Sequence, residues 1–215
     1  MPSSYTPLGV ELMVTGEQAG LWGDKTNTNL NILSQIVGGY NSQAVNGTGD
    51  TPLNVSDGAT GATVANRIIE LTGTITGNIT VSIPLDVENF YIIKNSTSGA
   101  FTVEFQYTSG SGTSVTFSST DKGTKFVYAK ADDGTNPNIV DVFSEFSQIN
   151  LVNRNELRFQ DATGGQYVGL RAASTVGSSF TLNLPTADAS SSGQALVSDS
   201  SGNLSFADAG ISTGK

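Results

Sequence analysis

Apolar residues at every second position dominate residues 65–147 of this chain. Ile79, Val81 and Ile83 form one such series, and Phe126 and Tyr128 form another. Turn sequences such as TGN, STSGA, SGSG and DDGTNPN separate the series. A period of two is typical of strands that are buried on one face, and short strands at regular spacing are typical of a sandwich or barrel. We therefore predict a compact antiparallel β-sandwich or barrel over residues 65–147.

One stretch near the N-terminus has a helical period instead. Apolar residues recur at helical spacing between residues 30 and 37. The candidate N-caps are Asp24, Thr26, Asn27 and Thr28. Gly38 and Gly39 follow and provide a stop signal. Alternation around residues 10–14 predicts a short strand before the helix. Residues 1–40 are therefore predicted to form an N-terminal arm with one short α-helix.

A helix of about a dozen residues is too short to be stable alone in water, so its apolar stripe must be buried. It could pack on the β-module of its own chain, or dock on another protein. We favour docking, because residues 41–64 are polar and turn-rich and predict a linker between helix and β-module. The predicted docking interface consists of Val10, Leu12, Val14, Leu21, Trp22, Leu30, Leu33, Ile36 and Val37.

Residues 148–215 offer only two or three large apolar residues per predicted strand. A single copy would be a flat ribbon with exposed edges, which is a liability in solution. Three copies around an axis would turn these residues inward and pair the edges. We therefore predict a β-prism-like shaft segment that is completed by trimerisation. The predicted trimer core consists of Leu157, Phe159, Val168, Leu170, Phe180, Leu182, Leu184, Leu204 and Phe206.

Composition narrows the classes of function. The chain has no cysteine and no histidine, which excludes disulfides, thiolate chemistry and imidazole bases or ligands. Its net charge of −9 argues against nucleic acids and anionic membranes as partners. No apolar run is long enough to span a bilayer, and the N-terminus lacks the features of a secretory signal. We therefore expect a soluble protein made in a cytoplasm, which is not an enzyme and binds no cofactor or metal.

Two acidic clusters could form a metal or catalytic site, or could be ordinary turn and surface residues. Asp132 and Asp133 in DDGTNPN could offer oxygen ligands to Ca²⁺, but the same residues are typical of a hairpin turn, which we favour. Asp86 and Glu88 could be a glycosidase pair, but we favour solvated charges on a loop between strands. Asp199 in DSSGN is interpreted as part of a tight turn.

Three segments resemble proteins of tailed bacteriophages. The opening LGVELMVTGEQAGLWGDKTNTNLNILSQIVGGY resembles the N-terminus of structural proteins of marine phages, especially those of cyanobacteria. The middle, including NFYIIKNSTSGAFTVEFQY, resembles a β-module that recurs in phage tail-fibre and related virion proteins. The last third, including SGQALVSDSSGNLSF, is similar to a segment of many fibre shafts. This resemblance covers nearly the whole chain and implies a homotrimeric fibre of the virion with an N-terminal attachment end.

The expected function is that of a short tail fibre, anchored to a phage adaptor, portal, tail or capsid protein. A head or neck fibre or a decoration protein needs the same anchor and remains an alternative. A second alternative is a module that binds host-surface glycans through Tyr91, Tyr107, Tyr128 and Tyr167, although these tyrosines mostly fit the inward alternation. The chain ends at ADAGISTGK, so we expect no large distal receptor-binding domain.

Overall fold

The computed structural model describes residues 2–161 and 165–209 and is mainly β. Its contacts divide the chain into a first unit, residues 1–147, and a second unit, residues 148–215. The first unit begins with the two-residue strands β1 (Ser4–Tyr5) and β2 (Glu11–Leu12), which pair antiparallel and precede the helix α1 (Trp22–Gly38). The mainly β class predicted from the alternation is confirmed.

Two sheets follow the helix. The five-stranded sheet has the order β11-β10-β7-β5-β3 and contains β3 (Tyr40–Ala44), β5 (Ile68–Thr72), β7 (Asn89–Asn95), β10 (Thr124–Ala129) and β11 (Ile139–Asp141). The four-stranded sheet has the order β4-β6-β8-β9 and contains β4 (Gly47–Pro52), β6 (Ile75–Ile83), β8 (Val103–Tyr107) and β9 (Val115–Phe117).

The pairing of these strands corrects the antiparallel prediction. From β3 to β8 the chain alternates between the two sheets, and each strand lies parallel to the strand of the previous coil, as in Tyr40↔Ile68 and Ile68↔Ile92. Within these two sheets only the pairs β8–β9, β7–β10 and β10–β11 are antiparallel. The prediction was wrong because alternation shows which side chains point inward, whereas it contains no information about which strand lies alongside.

One hydrophobic core joins the two sheets. Ile69 and Ile93 of the five-stranded sheet and Val81, Phe105 and Phe117 of the four-stranded sheet are fully buried in it. These positions fall on the inward face of each strand, as a period of two requires. The buried positions therefore agree with the period-two pattern of the sequence. The order of the strands in the sheets does not follow from that pattern.

The segment 41–64, which we predicted to be a polar linker, belongs to this folded unit instead. It contains most of β3 and all of β4, and it leads into a buried 3₁₀ turn at Thr63–Ala65. Val45 and Leu53 are buried in the core. Backbone pairing with β5 and β6 therefore orders a segment whose composition indicated a loop, because edge strands need few apolar side chains.

The helix is longer than predicted and begins earlier. Leu21 stands at the N-cap without a side-chain cap, and Thr26 and Thr28 donate hydrogen bonds back to the carbonyls of Trp22 and Asp24 instead of capping. The predicted stop is confirmed, since α1 ends at Gly38 and Gly39 is the C-cap. No helix among the described residues has the length and apolarity needed to cross a membrane.

The second unit consists of two short antiparallel strand pairs. β12 (Leu157–Gln160) pairs with β13 (Tyr167–Leu170), and β14 (Gln194–Ser198) pairs with β15 (Leu204–Asp208). A single parallel bridge, Asn183↔Asn203, adds a further contact. None of the described residues between 148 and 209 is buried. The described part of this unit therefore has no hydrophobic core of its own.

Candidate interaction surfaces

The helix α1 presents a broad apolar surface, of which one side is covered within the first unit. Ile32 is 1% exposed and Ile36 packs against the hydrophobic core. The neighbouring side of the same helix carries Leu33 and Val37, which are 45% and 73% exposed. The predicted stripe is therefore divided, and Ile36 belongs to intrachain packing and not to a free docking surface.

Polar contacts lock the covered side of the helix to the body. The guanidinium of Arg67 donates to the carbonyl oxygens of Ile36 at 3.1 Å and Phe90 at 2.7 Å, which joins the helix end to the start of β7. The backbone N–H of Gly61 donates to Gln35 Oε1 at 3.4 Å. The helix is thus a fixed part of the first unit. No linker separates it from the β-module, contrary to the prediction for residues 41–64.

The N-terminal arm is fastened to the helix through Glu11. Its backbone N–H donates to Asn29 Oδ1 and its carbonyl accepts from Asn29 Nδ2, both at 2.9 Å. Its carboxylate accepts from Ser3 and Gln18 and pairs with Lys25 Nζ at 3.1 Å. The hydrogen bond from Ser3, together with Lys25 and Gln18, lowers the pKa of Glu11 below its usual value. These contacts of Glu11 hold the N-terminal arm against the helix.

The uncovered side of the helix remains as an exposed apolar strip. We call Trp22, Leu30, Leu33 and Val37 the outer helix stripe; all four are exposed. Part of the stripe borders an open groove of about 520 Å³. Gly38 and Gly39 also line this groove, at the end of the helix. Of the other predicted docking residues, Leu12, Val14 and Leu21 are exposed. Val10 is half-buried and lines a second groove of about 380 Å³ with Leu33 and Ile36.

The predicted trimer-core residues of β12 and β13 share one face. Leu157 lies opposite Leu170, and Phe159 lies opposite Val168, so the four side chains project from the same side of the strand pair. All four are exposed, with Val168 at 69%. The other side of the pair carries Arg158, whose guanidinium lies over the ring of Tyr167 at 4.2 Å. The pair therefore has one apolar and one polar face.

The remaining predicted core residues are also largely uncovered. Phe180 and Leu184 are 71% and 79% exposed, and Leu182 is exposed as well. In the other strand pair Phe206 lies opposite Leu196, and Leu204 shares its face; Leu204 and Phe206 are half-buried. Side chains of this size are left in water only at a cost of about 1.5–3 kcal/mol each relative to burial. The described part of this unit therefore has a large exposed apolar surface.

A third apolar surface was missed by the sequence analysis. Tyr40, Ile68, Ile92 and Phe126 lie in register across β3, β5, β7 and β10, on the face of the five-stranded sheet that points away from the core. We call these four residues the apolar row. Tyr40 is 57% exposed and the other three are half-buried. Because the row depends on parallel registration between distant strands, no local signal identifies it.

A polar row lies beside the apolar row. The carboxylate of Glu70 accepts hydrogen bonds from Lys94 Nζ at 2.8 Å and from the hydroxyls of Ser96 and Tyr40, both at 2.6 Å. Lys94 first, and then Ser96 and Tyr40, lower the pKa of Glu70 to about 2. The charges of Glu70 and Lys94 compensate each other, so this part of the face has no net charge.

An aromatic cluster lies against this face at Phe126 of β10. Phe143 packs on Phe126 with ring centroids 4.8 Å apart, and Phe146 stacks on Phe143 at 5.8 Å. Phe143 and Phe146 remain half or more exposed. Further along the chain, Ile149, Leu151 and Val152 are also exposed. The structure places neither a helix nor a strand over residues 142–152, which carry the apolar run VFSEFSQINLV.

The acidic clusters serve as turns. Asp132 accepts from the backbone N–H and the side-chain amide of Asn138, and pairs with Lys130 Nζ; these contacts, the backbone one first, hold the pKa of Asp132 well below its usual range. Asp133 accepts from the N–H groups of Thr135 and Asn136. Both carboxylates are used internally, which agrees with the turn interpretation. No group of three or more metal-ligating side chains occurs among the described residues.

Asp199 is used in the same way. Its carboxylate accepts from the N–H groups of Ser201 and Asn203 and from the Asn203 side chain, which lowers its pKa and closes the turn between β14 and β15. Asp86 and Glu88 are exposed on the loop between β6 and β7, and Glu88 accepts a hydrogen bond from the hydroxyl of Tyr128.

Two of the four tyrosines considered for glycan binding are inaccessible. Tyr91 and Tyr107 are buried, and their hydroxyls donate to the carbonyls of Val64 and Val87. Burial raises the pKa of Tyr107 to about 12. Tyr128 and Tyr167 lie in different units of the chain, on β10 and β13. The inward alternation predicted for Tyr91 and Tyr107 is confirmed.

Comparisons with known proteins give no relative from which a function could be inferred. No protein-family model matches the chain, and neither the curated proteins nor the solved structures give a significant match.

Proposed function

We propose that this chain is a structural subunit of a phage virion, which assembles as a short homotrimeric fibre and attaches through its N-terminal end. The observation that carries the proposal is the unit 148–209, where Leu157, Phe159, Val168 and Leu170 share one face and no described residue is buried. A chain segment with this much uncovered apolar surface needs a partner of the same kind to fold stably. Three copies around an axis supply that partner and remove the exposed strand edges.

The attachment end is assigned to the outer helix stripe. The outer helix stripe is exposed on a helix that is itself fixed to the body by Ile36 and Arg67. A rigid apolar surface loses little conformational entropy on docking. Its partner in the proposal is a phage adaptor, portal, tail or capsid protein, and a head or neck fibre position uses the same surface.

Trimerisation is tested by light scattering and sedimentation equilibrium on the full chain. We expect a trimer, and we expect Phe159→Ser to dissociate it, because removing a phenylalanine from a packed core costs about 3–5 kcal/mol per chain. Tyr167→Ser is the matched control, since it removes an aromatic ring from the opposite face of the same strand pair. A monomeric wild-type chain at micromolar concentration would overturn the proposal.

Attachment is tested separately with surface substitutions that leave the core intact. The triple variant Leu30→Ser, Leu33→Ser and Val37→Ser should remain trimeric but fail to enter virus particles. The control Asn27→Ser with Asn31→Ser alters exposed polar residues of the same helix and should be incorporated normally. Normal incorporation of the triple variant would show that the attachment surface lies elsewhere.

A further inference from the structure

The N-terminal arm, the helix α1 and the loop between β6 and β7 form a groove with an apolar wall and exposed carboxylates at its rim. The apolar wall consists of Pro7, Leu8, Val10, Leu33 and Ile36. Asp86 and Glu88 of the loop line the same groove, which has a volume of about 380 Å³. Clefts of about 300–1,000 Å³ with mostly apolar walls and a few polar groups are typical binding sites. We call this cleft the arm groove.

The walls of the arm groove are held by contacts within the first unit. The backbone N–H of Gly58 donates to the carbonyl oxygen of Gly9 at 2.8 Å, which fastens the turn of the arm. Leu8 and Ile36 pack against the hydrophobic core, and Val87 of the loop is fully buried. A groove with fixed walls loses little conformational entropy when a ligand fills it.

The rim of the arm groove carries negative charge that the unit does not balance. Asp86 has no hydrogen-bond or ion-pair partner among residues 2–161 and 165–209. It also lines an adjoining groove of about 270 Å³ together with Asp57, which has no partner within those residues either. Glu88 accepts a hydrogen bond from the hydroxyl of Tyr128, which brings no positive charge. No lysine or arginine of the described chain lines either groove.

The basic residues of the first unit are engaged elsewhere. Residues 1–147 contain fourteen acidic and only six basic residues. Four of the six form ion pairs with acidic side chains, namely Lys25, Lys94, Lys125 and Lys130. Lys122 donates to Thr97 and Gly99, and Arg67 donates to two backbone carbonyls. A partner that brings positive charge to the rim therefore gains an attraction that the unit does not supply itself.

The two features of the groove together favour a segment of a protein as the occupant. A free cation would match the carboxylates and leave the apolar wall in water, whereas a purely apolar segment would desolvate carboxylates without compensation. A second copy of this unit brings the same excess of acidic residues, which is unfavourable beside Asp57 and Asp86. A segment that combines a large apolar side chain with neighbouring lysine or arginine residues matches both features.

We propose that the arm groove docks a basic segment of the attachment partner, in which an apolar side chain enters the groove and flanking lysine or arginine residues pair with Asp86 and Asp57. The inference rests on the proposed attachment end and names the chemistry of its partner. Leu33 belongs to the outer helix stripe and also lines the groove, so a partner that lies along the stripe reaches the groove there. The stripe then contributes apolar contact, and the rim selects for positive charge.

A peptide titration of the full-length protein tests the chemistry directly. The probes are the capped tetrapeptides Lys-Leu-Leu-Lys and Glu-Leu-Leu-Glu, followed through the methyl NMR signals of Leu8, Val10 and Ile36. We expect the lysine peptide to bind at least about tenfold more tightly than the glutamate peptide. Its affinity should fall as NaCl is raised from about 50 to about 500 mM, because salt screens the exposed carboxylates.

The same titration can overturn the inference in three ways. Equal affinity for the two peptides would show that the rim does not select for charge. The absence of shifts with either peptide would show that the groove is not a docking site. Shifts confined to Leu30 and Val37 would place the peptide on the outer helix stripe instead of in the groove.

A matched pair of charge reversals tests the role of the rim in attachment. Asp86→Lys should lower incorporation of the chain into virus particles by at least about tenfold, because it repels the basic segment. Glu145→Lys makes the same charge change at another exposed acidic residue without a partner in the described chain, and it should be incorporated like wild type. Circular dichroism checks that both variants are folded, and the peptide titration of the wild-type chain needs no variant.

The outcomes separate this inference from the proposed function. A wild-type chain that is absent from particles contradicts the proposed attachment, and selective binding of the lysine peptide then still supports a basic-segment site in the groove. Particles that contain wild type and Asp86→Lys in equal amounts, but lack the triple variant of the outer helix stripe, support the attachment end and refute its basic partner segment. Loss of Asp86→Lys together with retention of Glu145→Lys supports both.

Discussion

At Gly39 the chain passes from α1 into β3, and a side chain has no room there. A Cβ atom at this position would lie 2.5 Å from Asn66 Oδ1 and 2.7 Å from the carbonyl oxygen of Gln35. Gly39 has an ordinary extended conformation, so the glycine is required by close approach and not by backbone torsion. Its neighbour Gly38 is helical and has open space around its Cα.

These two adjacent glycines make a matched pair for measurement. Gly39→Ala should lower the free energy of unfolding by about 1–3 kcal/mol, because backbone and a buried amide must shift to admit the methyl group. Gly38→Ala should raise it by up to about 1 kcal/mol, because alanine loses less conformational entropy in a helix. Urea denaturation of both variants gives the comparison. Equal effects would contradict the close approach at Gly39.

At the scale of the element, α1 shows how one helix can serve two surfaces. Its apolar positions span a broader arc than a helix lying on a single surface needs. Ile32 is buried and Ile36 packs against the hydrophobic core, whereas Leu30, Leu33 and Val37 are exposed. The helix is therefore a fixed layer with an exposed apolar outer side, and not a separate plug on a flexible tether.

Adjacent residues of this helix should respond differently to truncation. Ile32→Ala should lower the free energy of unfolding by about 2–5 kcal/mol, because the isoleucine is fully buried and leaves a cavity. Leu33→Ala should change it by less than about 1 kcal/mol, since that side chain is 45% exposed. Chemical denaturation measures both changes. A large loss in Leu33→Ala would show that the outer helix stripe is structural, which would weaken its assignment to attachment.

At the scale of the whole molecule the two units differ in how they satisfy their apolar side chains. Residues from Val45 to Ile139 contribute to one continuous core in the first unit. In the second unit the described residues between 148 and 209 have no buried side chain, although strands with apolar faces are formed. The first unit encloses a core within one chain, whereas the described residues of the second unit enclose none.

This difference predicts a concentration dependence that only one unit should show. On dilution from micromolar to low nanomolar concentration, amide protons of β12–β15 should lose their protection from hydrogen exchange as copies dissociate. Amide protons of β5–β8 should stay protected, because their strands enclose the core. Hydrogen–deuterium exchange with mass spectrometry resolves the two regions. Protection of β12 and β13 that does not change with concentration would contradict the dependence on partner copies.

Much of the fold could be predicted from the sequence because side-chain periodicity is a local property. Alternation placed Ile79, Val81 and Phe105 on inward faces, and Gly38 and Gly39 marked the end of the helix, as the structure confirms. The turns at Asp132 and Asp199 were also readable, since aspartate carboxylates close turns with backbone groups a few residues away. Each of these features depends on residues close together in the chain.

The tertiary structure alone decided which elements meet. The parallel pairing of β3, β5 and β7, the folding of residues 41–64 into both sheets and the packing of Ile36 against the core all join residues far apart in sequence. The apolar row exists only because that register aligns Tyr40, Ile68, Ile92 and Phe126. The sequence determined which side chains need burial, since hydrophobicity belongs to each residue. The fold determined which of them a single chain can bury, because burial depends on the neighbours that tertiary contacts supply.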